Sequence, residues 1–439
     1  MKPARWPTRP LAIGAGLLAA ATFQGGTAQA GETLTFGNLS VTPGLEIGLG
    51  LFHVNNAFHG LVGGSNDWAE GFIRPSLDAE YPLASGSLYG RVSAIGAMAR
   101  GDDDAAFSGS KDQEDLALDE AYVGLALDLP GGWTFDTKIG AFTIKPDDGF
   151  LWGDADIEGG SDTTLLLAPR TAFREAAQAT VSNDTWNITG FYGKADDQFG
   201  HREVVGGDVG YTAEWGKLGI NASHLIEDPL FGYKGMDTIA VRANDIAVPG
   251  VQNLTVSGNL AKQFGSDNGI KYDTSAYSGE ARYTFANVPW TPIVSYRYSH
   301  FSGDPDGLAD GKQEMFDPLF YDFTDLDKWA LGHVGASYFY FNAAMNVHQL
   351  SVQAFANENT RVFFQALRFD AVDPSGFYAG PATASHLGDE INLAVDWWGR
   401  ENVYLLGGVG ALFPGKAAEQ ILGTDKTTFQ VFAMANFKF

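Results

Sequence analysis

Apolar and polar residues alternate along most of the chain with a period of two. In one such segment, leucine or isoleucine stands at positions 45, 47, 49 and 51, with glutamate or glycine between them. This period is typical of a β-strand with one apolar face. The alternation returns in residues 73–81, 121–129, 133–141, 205–215, 254–260, 277–285, 294–299 and 391–397. The pattern predicts an all-β fold.

The last thirteen residues, 427–439, repeat the pattern and end on an aromatic residue, Phe439. Every second residue from 429 onwards is apolar, with Phe432 and Met434 as exceptions on the other phase. The segment resembles the closing strand of Gram-negative outer-membrane β-barrels, whose terminal Phe is read by the outer-membrane assembly machinery. Taken alone, it also fits an edge strand of a soluble β-sandwich.

The number of alternating segments favours the barrel. Eighteen or nineteen candidate strands lie in residues 31–439, and no change of composition divides them into domains. One closed barrel uses them all and satisfies every backbone hydrogen bond, as a membrane requires. Single-chain bacterial barrels have even strand numbers. We therefore predict a single transmembrane antiparallel β-barrel over residues 31–439, with 18 strands or alternatively 16, wide enough for an aqueous channel.

Residues 1–30 have the pattern of a signal peptide. Lys2, Arg5 and Arg9 precede an apolar run over residues 11–23, and residues 28–30 have the small-x-small form of a cleavage site. No later stretch has eighteen uncharged apolar residues in a row, so no transmembrane helix is predicted. We expect a mature protein in the cell outer membrane of a Gram-negative bacterium, in contact with lipid and lipopolysaccharide.

Composition narrows the class further. The chain has no cysteine, so it has no disulfide framework. Glycine is frequent, at 55 of 439 residues, and aromatic residues make up 13 per cent, which suits tightly turning strands with aromatic girdles. The net charge of −25 becomes −28 without the three basic residues of the signal peptide. Such acidity argues against nucleic acid as a partner, and no cofactor is predicted.

Three connections are too long and too polar to be periplasmic turns. Residues 101–114, 146–168 and 302–327 are predicted extracellular loops, which are the longer set in such barrels. The last two contain aromatic residues, namely Phe150, Trp152, Phe316, Phe320 and Tyr321. These side chains need cover, so the loops either fold into the lumen and narrow it or pack over the barrel rim.

Several strings in the second half carry a family resemblance. They are HFSGD at 300–304, FDPLF at 316–320, WALG at 329–332, DEINL at 389–393 and PGK at 414–416, with a looser echo in residues 138–153. In these strings the chain resembles the alginate-export family of outer-membrane proteins. The resemblance implies an eighteen-stranded barrel through which an anionic polysaccharide leaves the cell along an arginine-rich constriction.

Arginines on the polar phases are the candidate pore-lining residues. A guanidinium pairs with a uronate carboxylate through two parallel hydrogen bonds and keeps its charge in a low-dielectric channel. The alternative is that each arginine pairs with a lumen carboxylate such as Glu70 or Asp78, which gives the transverse field of an ordinary porin. The candidates are Arg74, Arg91, Arg170, Arg174, Arg242, Arg282, Arg297 and Arg361, together with Glu280 and Glu390.

Other chemistry has weaker support in the sequence. No G-x-S-x-G motif occurs, and the eight histidines show neither H-x-x-x-H nor H-E-x-x-H spacing, so no catalytic site is predicted. Residues 102–104 and 304–307 offer clustered aspartates for Ca²⁺, but neither has the full D-x-D-x-D-G-x₅-E spacing. Solvated or lipopolysaccharide-facing loops are the favoured interpretation, and no metal site is predicted.

These observations favour an outer-membrane channel for the passive passage of hydrophilic solute. The resemblance favours an anionic polysaccharide or oligosaccharide as cargo. A general or small-substrate uptake porin is the alternative, and an outer-membrane enzyme with a rim active site is a weaker third. The sequence leaves open the identity of the cargo, the direction of transport and the oligomeric state.

Overall fold

The computed structural model describes residues 31–103, 105, 112–153, 164–167, 169–170, 173–196 and 200–439. The predicted signal peptide, residues 1–30, lies outside the described residues. So do residues 104 and 106–111 and the middle of residues 146–168, where two of the extracellular loops are predicted.

Long β-strands account for most of the described chain. They are β2 (Leu39–Asn55), β3 (Ser65–Leu83), β4 (Gly86–Gly101), β5 (Asp112–Leu129), β6 (Trp133–Ala141), β7 (Phe173–Ser182), β8 (Trp186–Ala195), β9 (Glu203–Ala213), β10 (Gly216–Glu227), β11 (Met236–Ala247), β12 (Leu254–Asp267), β13 (Ile270–Thr284), β14 (Ile293–Phe301), β16 (Met345–Asn357), β17 (Thr360–Ala371), β18 (His386–Arg400), β19 (Val403–Pro414) and β20 (Thr428–Lys438). Two short strands, β1 (Leu34–Phe36) and β15 (Lys312–Gln313), pair with β2 and β13. Eighteen strands therefore build the wall, because β2–β14 contribute thirteen and β16–β20 contribute five.

The eighteen strands close into one antiparallel barrel. Each pairs with the next along the chain, and β14 pairs with β16. The last strand, β20, pairs with β2 over ten residues, from Asn55↔Phe429 to Glu46↔Lys438. Closure leaves no free sheet edge in the wall, as a membrane requires. The predicted count of 18 is confirmed, and the alternative of 16 is wrong.

Alternation places apolar side chains on the outside of the barrel. In β2, Leu49 and Leu51 are 47 and 64 per cent exposed, whereas Phe52 and Val54 on the opposite phase are buried. Successive side chains of a strand point to opposite faces, so the exposed phase faces lipid and the buried phase faces the lumen. Leucine, isoleucine and valine dominate the exposed phase in the other strands as well.

The two ends of the barrel differ in the length of their connections. Beside the chain termini the strands are joined mostly by two or three residues, as at 84–85, 130–132 and 183–185. In the predicted turn after β5, Gly131 and Gly132 both have positive φ, of 78° and 76°, which glycine adopts without steric cost. The opposite end carries the long connections, including residues 142–172, 302–344, 372–385 and 415–427. Long loops are extracellular in outer-membrane barrels.

In the part of the chain that the structure describes, helical structure is confined to the loops. The helices are α1 (Gly335–Tyr338) and α2 (Lys416–Leu422), with 3-10 turns at Ala57–Gly60, Gly307–Asp310 and Pro374–Gly376. Among the described residues, no helix has the length and apolar character needed to cross a bilayer.

The main apolar core lies inside the barrel and is built largely by two loops. Phe150, Trp152, Phe316 and Phe320 are all at most 2 per cent exposed. The described parts of these loops that carry the aromatic residues therefore fold into the lumen. The second loop is longer than predicted, because β16 begins only at Met345 and the loop spans residues 302–344 instead of 302–327.

Candidate functional site

Two loop segments meet inside the lumen and are here called the plug: residues 142–153 and residues 302–344. Their backbones pair at an isolated parallel bridge between Trp152 and Phe320. The N–H of Phe320 donates to the carbonyl of Leu151 at 3.0 Å, and the N–H of Gly153 donates to the carbonyl of Phe320 at 2.6 Å. The Trp152 and Phe320 rings stack with centroids 5.5 Å apart. Backbone pairing and aromatic packing thus join two segments that are distant in sequence.

Charged side chains also link the two plug segments. The ammonium of Lys328 donates to Asp148 at 2.6 Å, and Lys145 pairs with Asp322. The indole of Trp329 donates to the carbonyl of Asp148 at 2.8 Å. Burial disfavours the charged form of Asp148, but the Lys328 ammonium outweighs it and lowers the pKa of Asp148 below its ordinary value.

Asp147, beside this pair, has the opposite electrostatic environment. Burial, followed by repulsion from Asp148, raises the pKa of Asp147 to about 7. Asp325 in the other plug segment is similar, because burial and then repulsion from Asp322 raise its pKa to about 6. The plug therefore contains carboxyl groups that change charge near neutral pH.

Polar side chains on the lumen face of the wall hold the plug on several sides. In β12, Gln263 donates to the carbonyl of Asp317 at 2.7 Å and accepts the N–H of Asp317 at 3.0 Å. Other wall residues that bond to the plug include Asn221 in β10, Arg297 in β14, Gln349 in β16 and Gln365 in β17. These contacts fix the plug to the part of the wall that runs from β10 to β17.

Two buried wall glutamates bind loop backbone. Glu390 in β18 accepts the N–H groups of Val334 at 2.9 Å and Gly335 at 2.7 Å, at the start of α1. Glu70 in β3 accepts the N–H groups of Leu166 and Leu167 at 3.0 and 2.9 Å. A carboxylate that accepts two backbone N–H groups makes charge-assisted hydrogen bonds. The structure places the candidate residue Glu390 in the lumen, where its oxygens bind the N–H groups of Val334 and Gly335.

Among the described residues, the salt bridges join seven of the eight candidate arginines to carboxylates. Their partners are Glu46 and Asp119 for Arg74, Asp78 and Glu120 for Arg91, Asp196 for Arg170, Asp208 for Arg242, Glu280 for both Arg282 and Arg297, and Asp396 and Asp327 for Arg361. Arg174 donates to the carbonyls of Leu118 and Asp119 at 2.9 and 2.8 Å. Paired guanidinium and carboxylate groups are therefore the rule in this lumen.

Two of the candidate arginines share one carboxylate. Arg282 and Arg297 come together on Glu280, with distances of 3.1 and 2.6 Å. Arg297 is nearly buried, and its guanidinium lies 5.1 Å from the centre of the Trp329 ring in the plug. Arg282 and Arg297 therefore support the plug more than they line an open path.

Sequence reasoning missed the most buried arginine, Arg202. Its guanidinium is 1 per cent exposed and donates to Asp228 at 2.9 Å and to Asp317 at 2.6 Å. It also lies 4.8 Å from the centre of the Phe231 ring. Arg202 stands one residue before β9, outside the alternating segment, so no periodicity marked it. It ties the plug to two neighbouring loops.

A cavity of about 1050 Å³ remains between the plug and one side of the wall. Arg74 and Arg361 are the two candidate arginines that line it, and Arg202 is a third. Its described carboxylates are Glu46, Asp317, Asp325, Asp327 and Asp396, five against three arginines. The lining also includes Phe72, Phe363, Tyr404, Phe432 and His333. Burial lowers the pKa of His333 to about 4, so its imidazole is neutral near pH 7.

The closed barrel, its lipid-facing apolar phase and its polar lumen define an outer-membrane β-barrel channel. The alginate export family model matches residues 84–432, most of the chain. The chain belongs to the alginate export family. The family indicates a channel or transporter.

Solved structures show the same fold at low sequence identity. The crystal structure of Pseudomonas aeruginosa OccK5 (OpdH) has a TM-score of 0.54 and 10 per cent identity, covering 90 per cent of this chain and 98 per cent of that one. Pseudomonas aeruginosa OccD3 (OpdP) has a TM-score of 0.55 and 8 per cent identity, covering 90 and 91 per cent. Comparison with curated protein sequences gives no match.

Proposed function

We propose that this channel conducts an anionic saccharide by diffusion, along the cavity between the plug and the wall. The observation that carries the proposal is the pairing of arginines with aromatic rings in that cavity. Arg361 lies 5.6 Å from the centre of the Phe363 ring, and Arg74 lies 6.0 Å from that of Phe72. A guanidinium binds a sugar carboxylate, and an aromatic ring offers a flat apolar surface to the face of a sugar ring.

The ion pairs suit transit better than tight binding. A cargo carboxylate that reaches Arg361 exchanges with Asp396 or Asp327, so the guanidinium never loses all its partners. The net gain from such an exchange is small, because one carboxylate replaces another. Conduction needs sites that are favourable enough to enter and weak enough to leave. Paired arginines therefore support weak binding along a path.

The plug sets the width of the path. It is bonded to the wall through several strands, and the cavity of about 1050 Å³ lies beside it. We expect a short oligosaccharide to fit beside the plug, whereas a continuous polymer requires the plug to shift. Recognition of the β20 strand by the outer-membrane assembly machinery, and contact of the rim with lipopolysaccharide, stay predictions.

A small-substrate uptake channel is the second candidate. The excess of five described carboxylates over three arginines in the cavity lining favours it, because a net negative lining favours cations. The two candidates differ in the sign of ion selectivity and in their response to oligouronates.

Current through the purified, refolded protein in a planar bilayer separates the candidates. We expect an anion-biased reversal potential under a KCl gradient and a concentration-dependent block by oligouronates, but not by neutral oligosaccharides of equal length. Arg361→Gln should weaken the block by roughly tenfold, the value of one good charge-assisted contact. Arg91→Gln is the matched control, because Arg91 pairs with two carboxylates but does not line the cavity.

Cation bias without block would contradict the saccharide proposal and leave the small-substrate channel. Block that is equally strong in Arg361→Gln would reject the cavity as the path.

A further inference from the structure

Three carboxylates cluster at the stem of the longer plug segment. Asp304, Asp306 and Glu314 each offer one oxygen, and these oxygens all lie within 4.8 Å of one another. The chain leaves β14, makes the 3-10 turn Gly307–Asp310, and returns through β15 beside β13. The N–H of Glu314 donates to Oδ2 of Asp304 at 3.3 Å, which holds the two ends of this hairpin together.

Asp304 is the buried member of the cluster. It is only 6 per cent exposed, and its Oδ1 atom has no hydrogen-bond partner among the described residues. A buried acceptor without a partner costs free energy, and a bound ion or water is one way in which a folded protein satisfies such a group. Burial raises the pKa of Asp304, and repulsion from Glu314 and Asp306 adds to the effect.

The positive charge near the cluster is too small to balance the carboxylates. The ammonium of Lys312 lies 3.3 Å from Asp310 and 3.5 Å from Glu314. In the described part of the chain, no salt bridge reaches Asp304 or Asp306. Four carboxylates, including Asp310, therefore face one lysine, and the hairpin carries uncompensated negative charge around a buried oxygen.

We propose that Asp304, Asp306 and Glu314 bind a Ca²⁺ ion that fastens the stem of the plug. Ca²⁺ takes oxygen ligands at about 2.3–2.6 Å, so two oxygens on one ion lie at most about 5 Å apart, as these do. Carboxylates and water are its usual ligands, and its coordination geometry is flexible. Mg²⁺ demands near-octahedral geometry, which suits an irregular loop cluster less well.

The proposal revises the interpretation of residues 304–307 as a solvated turn. The loop-motif spacing fails here because the third ligand, Glu314, is supplied by the return strand of a hairpin. Bound Ca²⁺ would hold the start of residues 302–344 against β13 and β14. The site stands on its own geometry and does not depend on the nature of the cargo.

The test uses EDTA-treated, refolded protein in detergent free of lipopolysaccharide. Calorimetric titration with CaCl₂ should show one ion per chain with a Kd on the order of 10⁻⁴ M, as in extracellular sites. Hydrogen exchange in residues 302–316 should slow when Ca²⁺ is added. Asp306→Asn, an exposed position, and Asp304→Asn should each weaken binding at least tenfold, while Asp310→Asn should change it less than threefold.

The effect of Asp304→Asn on hydrogen exchange should change sign when Ca²⁺ is added. This change distinguishes a specific Ca²⁺ site from a hairpin that is merely acidic. Without Ca²⁺, Asp304→Asn relieves repulsion, so the hairpin should exchange more slowly than in the wild type; with Ca²⁺ the order should invert. Absence of binding up to 10 mM CaCl₂, equal weakening in Asp310→Asn, or unchanged binding in Asp306→Asn would each overturn the proposal. If the Asp304→Asn variant does not fold, binding of Ca²⁺ by the Asp306→Asn variant alone tests the proposal.

Discussion

The ammonium of Lys328 lies 2.6 Å from the carboxylate of Asp148, and 180 residues of chain separate the two. Each belongs to a different plug segment, so this one contact closes a loop of nearly half the molecule across the lumen. Both side chains are mostly buried. The pair is therefore a natural point at which to loosen the plug.

Replacing Lys328 by methionine should increase conductance. The change leaves a buried carboxylate uncompensated, which costs about 3 kcal/mol and favours plug displacement by roughly a hundredfold. Single-channel recording should show more frequent open events and a larger mean current. Lys262→Met is the control, because Lys262 forms an exposed ion pair with Asp273 on the wall. Unchanged current in Lys328→Met would show that the pair does not hold the plug.

The sequence predicts the features of the fold that neighbouring residues determine, but not the contacts between residues far apart in the chain. The lipid-facing phase at Leu49 and Leu51 was predictable, because strand periodicity is local and the membrane imposes one apolar face. The strand count was predictable for the same reason, together with the rule that single-chain bacterial barrels have an even number of strands. The contact of Asp148 with Lys328 was not, since nothing in the local pattern links residues so far apart.

The same difference holds for the site residues: strand periodicity predicts those on the strands, but not the partners that come from loops. That Glu280 lies on the lumen face and pairs with Arg297 could be foreseen, because both stand on polar phases of adjacent strands. Glu390 was placed correctly in the lumen, but its partners come from the turn into α1, which has no strand periodicity. Arg202 was missed because it precedes its strand.

Replacing Glu390 by leucine should release the α1 segment. Two buried N–H groups, of Val334 and Gly335, lose their acceptor, at a cost of about 1–3 kcal/mol each. Hydrogen exchange at residues 333–338 should accelerate, by roughly a hundredfold for a total near 3 kcal/mol. Asp389→Asn, a half-exposed neighbour in the same strand, should leave the exchange unchanged. Equal protection in both variants would argue against the anchoring role of Glu390.

Plug opening should depend on pH through Asp147. Its pKa of about 7 in the folded protein exceeds that of the unfolded chain. Its contribution to stability is therefore complete below about pH 4 and is lost as the pH rises through about 7. The groups facing it are Asp148, Asp208 and Arg242. Asp148, whose pKa is lowered, stays ionised throughout this range.

We therefore expect the channel to open more often at pH 8 than at pH 5. In Asp147→Asn the difference should shrink, and the remainder should follow Asp325, whose pKa of about 6 gives the same sign. Recording at both pH values in wild type and variant checks this. More opening at pH 5 than at pH 8 would contradict the sign.

The Arg202 cluster should contribute strongly to the stability of the plug. One guanidinium forms ion pairs with both Asp228 and Asp317, which come from two different loops, and all three side chains are almost fully buried. Replacing Arg202 by methionine keeps most of the volume but leaves two buried carboxylates close together, which costs about 3–5 kcal/mol. Proteolysis of the loop that contains Asp317 should accelerate. The barrel wall should survive, because its backbone pairing does not involve this cluster.

The double change of Asp228 and Asp317 to asparagine in the Arg202→Met background should recover much of the loss, since no buried charge then remains unpaired. Failure of that rescue would mean that Arg202 acts through packing on Phe231 and not through charge.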